Sequence, residues 1–351
     1  MKTNVQQVDC NEPQEDVIAQ AAAILQEGGL VAFPTETVYG LGGNGLDAAA
    51  CKKIYEAKGR PSDNPLILHI SHRNELERIV SNVPEAAKKI MDAFWPGPIT
   101  LIFPKADCVP METTGGLDTV AVRFPAHKVA QALIRRSGLP IAAPSANSSG
   151  KPSPTRASHV EYDLGGKIAM ILDGGSCEVG LESTILDVSV KQPILLRPGA
   201  ITKEMIEKVI GPIAVDAAVL EKPQEGVAPK APGMKYTHYS PKAEVILVAG
   251  NTLEAQTQEI CRLVEEQLAL GKKVGILATE QTKDAYPKGI VLSVGDRQKL
   301  ETIGANLFKV LRKFDFLGVN IIFSEVFDTT GEGMAIMNRL NKAAGYHIVK
   351  V

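Results

Sequence analysis

Aromatic residues make up only 5% of this 351-residue sequence, and Trp95 is its one tryptophan. A broad platform for stacking nucleic-acid bases is therefore not expected. Net charge is nearly absent: 38 Lys+Arg stand against 40 Asp+Glu, or −2 at pH 7. That balance excludes a disordered polyelectrolyte and argues against a protein that coats nucleic acid by bulk charge. Both parts of the chain share it, with 21 basic against 24 acidic residues over 1–210 and 17 against 16 beyond. No apolar run reaches the roughly 18 residues of a membrane helix. The polar start, MKTNVQQVDCNEPQED, has no apolar stretch of signal-peptide type. The five cysteines (Cys10, Cys51, Cys108, Cys177, Cys261) are scattered and form no C-x-x-C. A disulfide framework and a zinc knuckle are not expected, and a reducing cytoplasm is the natural compartment.

Catalytic signatures are missing as well. There is no G-x-x-x-x-G-K-[ST], no H-E-x-x-H, no G-x-S-x-G and no His/Cys cluster among the six histidines. A P-loop ATPase, a metallohydrolase and a serine hydrolase are thus unsupported. Gly40-Leu41-Gly42-Gly43-Asn44-Gly45 matches G-x-G-x-x-G, but no acidic residue ends a second strand about 20 residues later. A tight turn needing positive φ is the better reading than a dinucleotide site.

What is present is a large apolar fraction, 44%, broken by polar clusters rich in glycine and proline. The length suggests about two domains. In residues 1–210, helical patterns at 15–27, 47–58, 84–95 and 202–210 mix with short strands at 30–33, 66–70, 99–103, 119–124, 141–143, 168–173, 183–189 and 194–196. Their uneven spacing predicts a twisted, mixed α/β sheet. Residues 211–242 hold five prolines and no amphipathic period, and read as a linker. Strict alternation then predicts strands at 244–249, 273–279, 290–294, 319–325 and 347–351, with helices at 252–270, 297–314 and 334–344. That is a smaller, Rossmann-like α/β domain over 243–351.

Polar groups gather where the strands end. Thr35 follows the first strand, and alone would be a turn hydroxyl. Lys58-Gly59-Arg60 ends a helix, where cations suit the dipole, but Asn64 and a strand ending near His69 follow directly. Arg123 ends TVAVRF, and its fork suits a carboxylate or phosphate. The loop 144–153 (PSANSSGKPS) offers four hydroxyls, an amide and backbone N–H groups, which is the chemistry of an anion nest. Ser183 and Arg197 flank later strands. Together these groups describe a site for an anionic small molecule.

PTETVYGLG (34–42), KGRP…NPL (58–66), AVRFP (121–125), PSANSSGKPSPT (144–155), ESTI (182–185), LRPG (196–199), APGMKYTHYSP (231–241) and MNRLNKAA (337–344) occur in this order. The set resembles the YrdC-type threonylcarbamoyl-AMP synthases in their longer, two-domain form. The resemblance implies a YrdC-like catalytic domain (1–210) with a large concave cavity, a linker or lid (211–242) and the Rossmann-like domain. It implies a nucleotidyltransferase reaction in which L-threonine, bicarbonate and ATP give threonylcarbamoyl-AMP and pyrophosphate, for threonylcarbamoyl-adenosine modification of tRNA. Thr35, His69, Arg123 and Ser183, with the backbone of Ala143, match positions near threonine. Lys58, Arg60, Asn64, Thr119, Ser145, Ser153, Arg197 and Tyr239 match positions around ATP. No side chain is expected as a nucleophile; Lys58, Arg60 and Arg123 would position substrates and offset developing charge. Mg²⁺ would ride on the nucleotide, with no ligands from protein side chains. A downstream tRNA threonylcarbamoyl transferase machinery would be the partner, with no membrane and no stable nucleic-acid binding required. The lid would exclude water from a labile product, so deletion of 231–241 is expected to abolish synthesis. The rival readings are a double-stranded RNA-binding module of YrdC fold, a carbamoyl-transferring hydrogenase-maturation enzyme (whose extra modules are absent here) and, distantly, a dehydrogenase.

Overall fold

A computed structural model describes residues 2–221, 231–232 and 238–351. The chain divides into two compact units, Met1–Ser149 with Ser153–Lys235, and Gly150–Pro152 with Tyr236–Val351.

The first unit is a mixed sheet. Its strands are β1 (Asn4–Gln7), β2 (Val31–Phe33), β3 (Gly40–Asn44), β4 (Ile67–His69), β5 (Ile99–Pro104), β6 (Thr119–Arg123), β7 (Ile141–Ala142), β8 (Met170–Asp173), β9 (Thr184–Asp187), β10 (Ile194–Arg197) and β11 (Ala214–Val215). Their order across the sheet is β1-β8-β2-β3-β7-β4-β6-β5-β9-β10-β11. Each strand expected between residues 30 and 196 is present within two residues. The helices Glu15–Gln26 and Lys128–Ser137 pack Leu25, Ala21, Leu133 and Val129 onto Val31, Phe33 and Leu172 of the sheet. Helix Ala48–Lys58 begins where Asp47 accepts the Ala49 N–H at 2.8 Å and ends at Gly59, φ 63°. That left-handed stop turns the chain immediately after Lys58.

Among the described residues, three strands and five α-helices of this unit lie outside the sequence reading: β1, β3, β11, Leu76–Ile79, Met111–Thr114, Lys128–Ser137, Ala157–Leu164 and Ala217–Leu220. β3 corrects the reading of the G-x-G-x-x-G string as a turn. Gly40–Asn44 runs mid-sheet between β2 and β7, and none of Gly40, Gly42, Gly43 or Gly45 has a positive φ. Glycine is required there for room. A Cβ on Gly42 would stand 2.9 Å from Ile141 and Phe33 side-chain carbons, and one on Gly45 only 2.2 Å from Leu68 Cδ2 and 2.7 Å from the Pro140 carbonyl. Gly45→Ala should therefore cost about 1–3 kcal/mol of stability through overpacking. Urea denaturation followed by Trp95 fluorescence measures it; an unchanged midpoint would contradict the packing account.

The second unit is a parallel sheet of β12 (Glu244–Ala249), β13 (Val274–Ala278), β14 (Ile290–Ser293), β15 (Ile321–Glu325) and β16 (Ile348–Lys350), in the order β14-β13-β15-β12-β16. Helices Leu253–Ala269, Leu300–Leu317 and Gly331–Ala343 connect them, as the Rossmann-like reading requires. Within the segment read as a linker, residues 211–221 carry β11, paired with β10, and a short helix, Ala217–Leu220. Ala231 is fully buried against Ile67, Ile102 and Leu196 in the first unit. The rest of the expected lid falls largely on residues 222–230 and 233–237, outside the described residues. All five cysteines are free thiols. Among the described residues, no helix is long and apolar enough to cross a membrane.

Candidate active site

The register of the first sheet sets three of the expected residues, His69, Arg123 and Arg197, in one row. Parallel pairing of β4 and β6 sets His69 opposite Arg123. Antiparallel pairing of β5 and β6 sets Thr100 opposite Arg123. β9 places Ile185 opposite Thr100, and β10 places Arg197 opposite Ile185 after an irregularity beyond Leu195. One lateral row, His69–Arg123–Thr100–Ile185–Arg197, thus crosses five adjacent strands. At the usual strand spacing its two arginines are about 14 Å apart along the row.

Arg123 is 4% exposed at the end of an apolar strand. Its Nη1 donates to Thr37 Oγ1 at 2.8 Å. Its Nη2 lies 2.8 Å from Glu36 Oε1 in a buried ion pair. The Thr35 hydroxyl braces this loop. It donates to the Val38 carbonyl at 2.6 Å and accepts the Thr37 and Val38 N–H groups at 3.2 Å each. So Thr35 is a turn hydroxyl that also stands beside the arginine's partners. Burial works against the Glu36 charge, but the adjacent Arg123 guanidinium outweighs it and holds the carboxyl below its usual range. The pair is therefore ionised.

His69 is buried, with Nδ1 3.1 Å from the Ile67 carbonyl and its ring edge-on to Phe33. Burial first, and the nearby Arg123 charge second, push its pKa down to about 3. The ring is neutral at physiological pH and adds no second cation. Its ring-proton NMR resonances should stay flat from about pH 7 to about pH 5, where an ordinary histidine titrates; a midpoint near 6.5 would refute this. Cys177 is a buried thiol in the same loop cluster, and burial pushes it up to about 12, which leaves no thiolate for covalent catalysis.

Lys58 joins two loops. Its Nζ donates to the Ser145 carbonyl at 2.5 Å and the Asn147 carbonyl at 2.6 Å. The Ser145 hydroxyl donates to Asn147 Oδ1 at 2.5 Å. Arg60 donates to the Asn64 and Pro65 carbonyls at 3.3 and 3.0 Å. Asn64 is 1% exposed, and neither atom of its side-chain amide has a hydrogen-bond partner among the described residues. A buried orphan amide is costly unless a ligand meets it. Ser153 donates to Glu182 Oε1. Arg197 Nε donates to the Ser183 carbonyl at 3.0 Å and Nη2 to the Ser183 hydroxyl at 3.1 Å; that hydroxyl is 2.8 Å from Thr100 Oγ1. The Ala143 N–H donates to the Ile67 carbonyl at 2.9 Å, fixing its backbone beside His69.

Thr119 and Tyr239 are the remaining expected residues. Thr119 begins β6 at the end opposite Arg123. Tyr239 belongs to the second unit, where it is 5% exposed, has a φ of 65°, and stacks on Phe308 at 5.1 Å with the Arg339 guanidinium 5.7 Å from its ring. The loop 144–153 is likewise divided: Gly150–Pro152 belongs to the second unit, where the Pro152 carbonyl accepts two bonds from Arg312. The sequence reading missed Glu36, Thr37, Thr100, Asn147 and Glu182. All but Thr100, which lies in the apolar strand β5, fall inside a quoted motif, but only three-dimensional pairing marks them out. Among the described residues, no group of three or more His, Cys, Asp or Glu side chains is placed to hold a metal ion.

Comparison with known proteins places the chain among relatives along its whole length. The Sua5/YciO/YrdC family model, described as telomere recombination, matches residues 23–199, and one described as threonylcarbamoyl-AMP synthase, C-terminal domain, matches 201–345. The chain is 52% identical over 345 residues to the threonylcarbamoyl-AMP synthase of Bacillus subtilis (strain 168), covering 98% of this chain and 96% of that one. It is 51% identical over 342 residues to the one from Pyrococcus abyssi (strain GE5 / Orsay), covering 96% and 97%. The crystal structure of P. abyssi Sua5 complexed with L-threonine aligns with a TM-score of 0.94 at 50% identity, over 99% of this chain and 100% of that one.

Proposed function

The chain belongs to the YrdC-type threonylcarbamoyl-AMP synthase family, and on that premise we propose that it joins L-threonine, bicarbonate and ATP as a nucleotidyltransferase. The threonine amine adds to the carbon of bicarbonate, giving a carbamate and releasing water. A carbamate oxygen then attacks the α-phosphorus of ATP and displaces pyrophosphate. The lateral row carries this reading. Two buried arginines stand on one sheet row, their backbones three strand spacings (about 14 Å) apart, which offers a cation to each of two anionic substrates. The threonine bound to the P. abyssi relative supports an amino acid as one of them.

Arg123 takes the threonine carboxylate, beside Thr35, neutral His69, the Ala143 backbone and Ser183. Arg197, Lys58, Arg60, Asn64, Ser145, Ser153 and Thr119 serve the nucleotide. Since the reaction needs no protein nucleophile, catalysis is positioning and the offset of developing phosphate charge. Of the acidic groups here, Glu36 faces Arg123 and Glu182 accepts from Ser153. This set suits Mg²⁺ held by phosphate oxygens and water, where it would neutralise the leaving pyrophosphate. The product is a diffusible adenylate, passed in the cytoplasm to a tRNA threonylcarbamoyl transferase machinery. The test is incubation with threonine, bicarbonate, Mg²⁺ and labelled ATP. Pyrophosphate release that requires both threonine and bicarbonate is expected; release without either would overturn the reading.

A further inference from the structure

We propose that Glu36 is the acceptor for the α-ammonium group of the amino-acid substrate, so that Glu36 and Arg123 recognise a zwitterion as a pair. The inference rests on the threonine reading above and adds a recognition residue to it.

Glu36 and Arg123 are 8% and 4% exposed, and Nη2 is 2.8 Å from Oε1. A structural ion pair so deeply buried is expected to be bidentate and hydrogen-bonded, because desolvation otherwise outweighs the attraction. This one is joined by a single close contact, Nη2 to Oε1. Arg123 Nε has no hydrogen-bond partner among the described residues and neither Glu36 oxygen has a well-aligned one, although Arg123 and the backbone N–H groups of Ala126 and Glu36 support the carboxylate's charge. A carboxylate and a guanidinium are thus held side by side, buried, joined by one 2.8 Å contact and with Arg123 Nε left over. The complement of that surface is a ligand carrying a carboxylate and an ammonium on neighbouring atoms, as any α-amino acid does. A phosphate or dicarboxylate would satisfy Arg123 but meet repulsion from Glu36. An amine without an acid group would do the reverse. His69, being neutral, leaves Arg123 as the cation of this row segment and Glu36 as its anion.

The substrate carboxylate takes the Nε and Nη2 donors, and Glu36, released from Arg123, accepts the ammonium N–H bonds. The Thr37 hydroxyl keeps Arg123 Nη1 in place during the exchange. Glu36 and Arg123 satisfy each other imperfectly, and the amino acid improves both halves at once.

Calorimetric titration of the full-length protein with L-threonine and with its deamino analogue 3-hydroxybutanoate tests this. The wild type should bind threonine about 10- to 150-fold more tightly than the analogue, the range of one charged hydrogen-bonding partner. In Glu36→Gln, threonine should lose affinity by a similar factor, while the analogue holds or gains because Arg123 no longer has a competing carboxylate. Equal wild-type affinity for the two ligands overturns the proposal, and that comparison stands even if the variant does not fold. Unchanged threonine binding in the variant also overturns it, as does an equal loss for both ligands, which would mark Glu36 as support for Arg123 alone. A wild type that ignores threonine but prefers another α-amino acid over its deamino analogue would refute the threonine reading and leave this proposal intact.

Discussion

Replacing Arg123 by alanine should raise the threonine KM by a factor of about 30 to several thousand, the range for removing one partner of a buried charge pair, while the ATP KM moves only a few-fold. Steady-state pyrophosphate release with each substrate varied in turn measures it. The reverse pattern would assign Arg123 to the nucleotide. The variant should also be less stable by about 3–5 kcal/mol, because Glu36 is left buried without its cation. The pH dependence of that loss has a definite sign. In the wild type the Glu36 carboxyl is held below its ordinary value of 4.5. Its pairing therefore adds stability above that pH, which is lost as the pH falls through the lower folded value. Without Arg123, burial, the largest influence on Glu36, is opposed only by backbone hydrogen bonds from Ala126 and Glu36, and the pKa rises relative to the wild type. The alanine variant should therefore recover stability relative to the wild type as the pH is lowered. Parallel melting curves at several pH values would show the gap closing; a gap that widens in acid would contradict the pairing.

The second large effect lies in the other unit. Glu325 ends β15 with no exposure, and its carboxylate accepts from Tyr286 at 2.8 Å, Thr279 at 3.1 Å, Arg297 at 2.5 Å and Thr282. Glu325→Ala would strand a guanidinium and three hydroxyls at once. A loss of about 3–5 kcal/mol is expected, read as amide exchange in β13 and β15 that is about a hundred- to several-thousand-fold faster. Glu325→Gln, which keeps an acceptor, should lose less. Exchange rates unchanged in the alanine variant would mean the network contributes little.

The apolar strands were legible because each is a short β-branched run between turn residues, as in TVAVR and EVILVA. β3 was hidden for the opposite reason. GLGGN has no side-chain pattern, and its place in the sheet follows from the room that Phe33, Ile141 and Leu68 leave. The helix Lys128–Ser137 did carry a signal, with Val129, Ala130, Leu133 and Ile134 on one buried face and Gly138 as its stop. Most of the candidate residues were legible as candidates because they are hydroxyls and cations at strand ends. Glu36 was not, since a single carboxylate in a threonine-rich loop has no spacing signature. What makes it significant is a guanidinium 87 positions away in sequence. Such pairings are set by sheet order, which local periodicity does not encode.

The site row draws on β4, β6, β5, β9 and β10, so sequence order and spatial order disagree along it. During synthesis this has a consequence for timing. When β4 leaves the ribosome, the strand that pairs beside it is still some 50 residues from being made, and Arg197 emerges last of all. No nascent fragment shorter than about 200 residues holds both arginines. A nascent chain shorter than that holds only part of the row, which is complete only once β10 has joined the sheet.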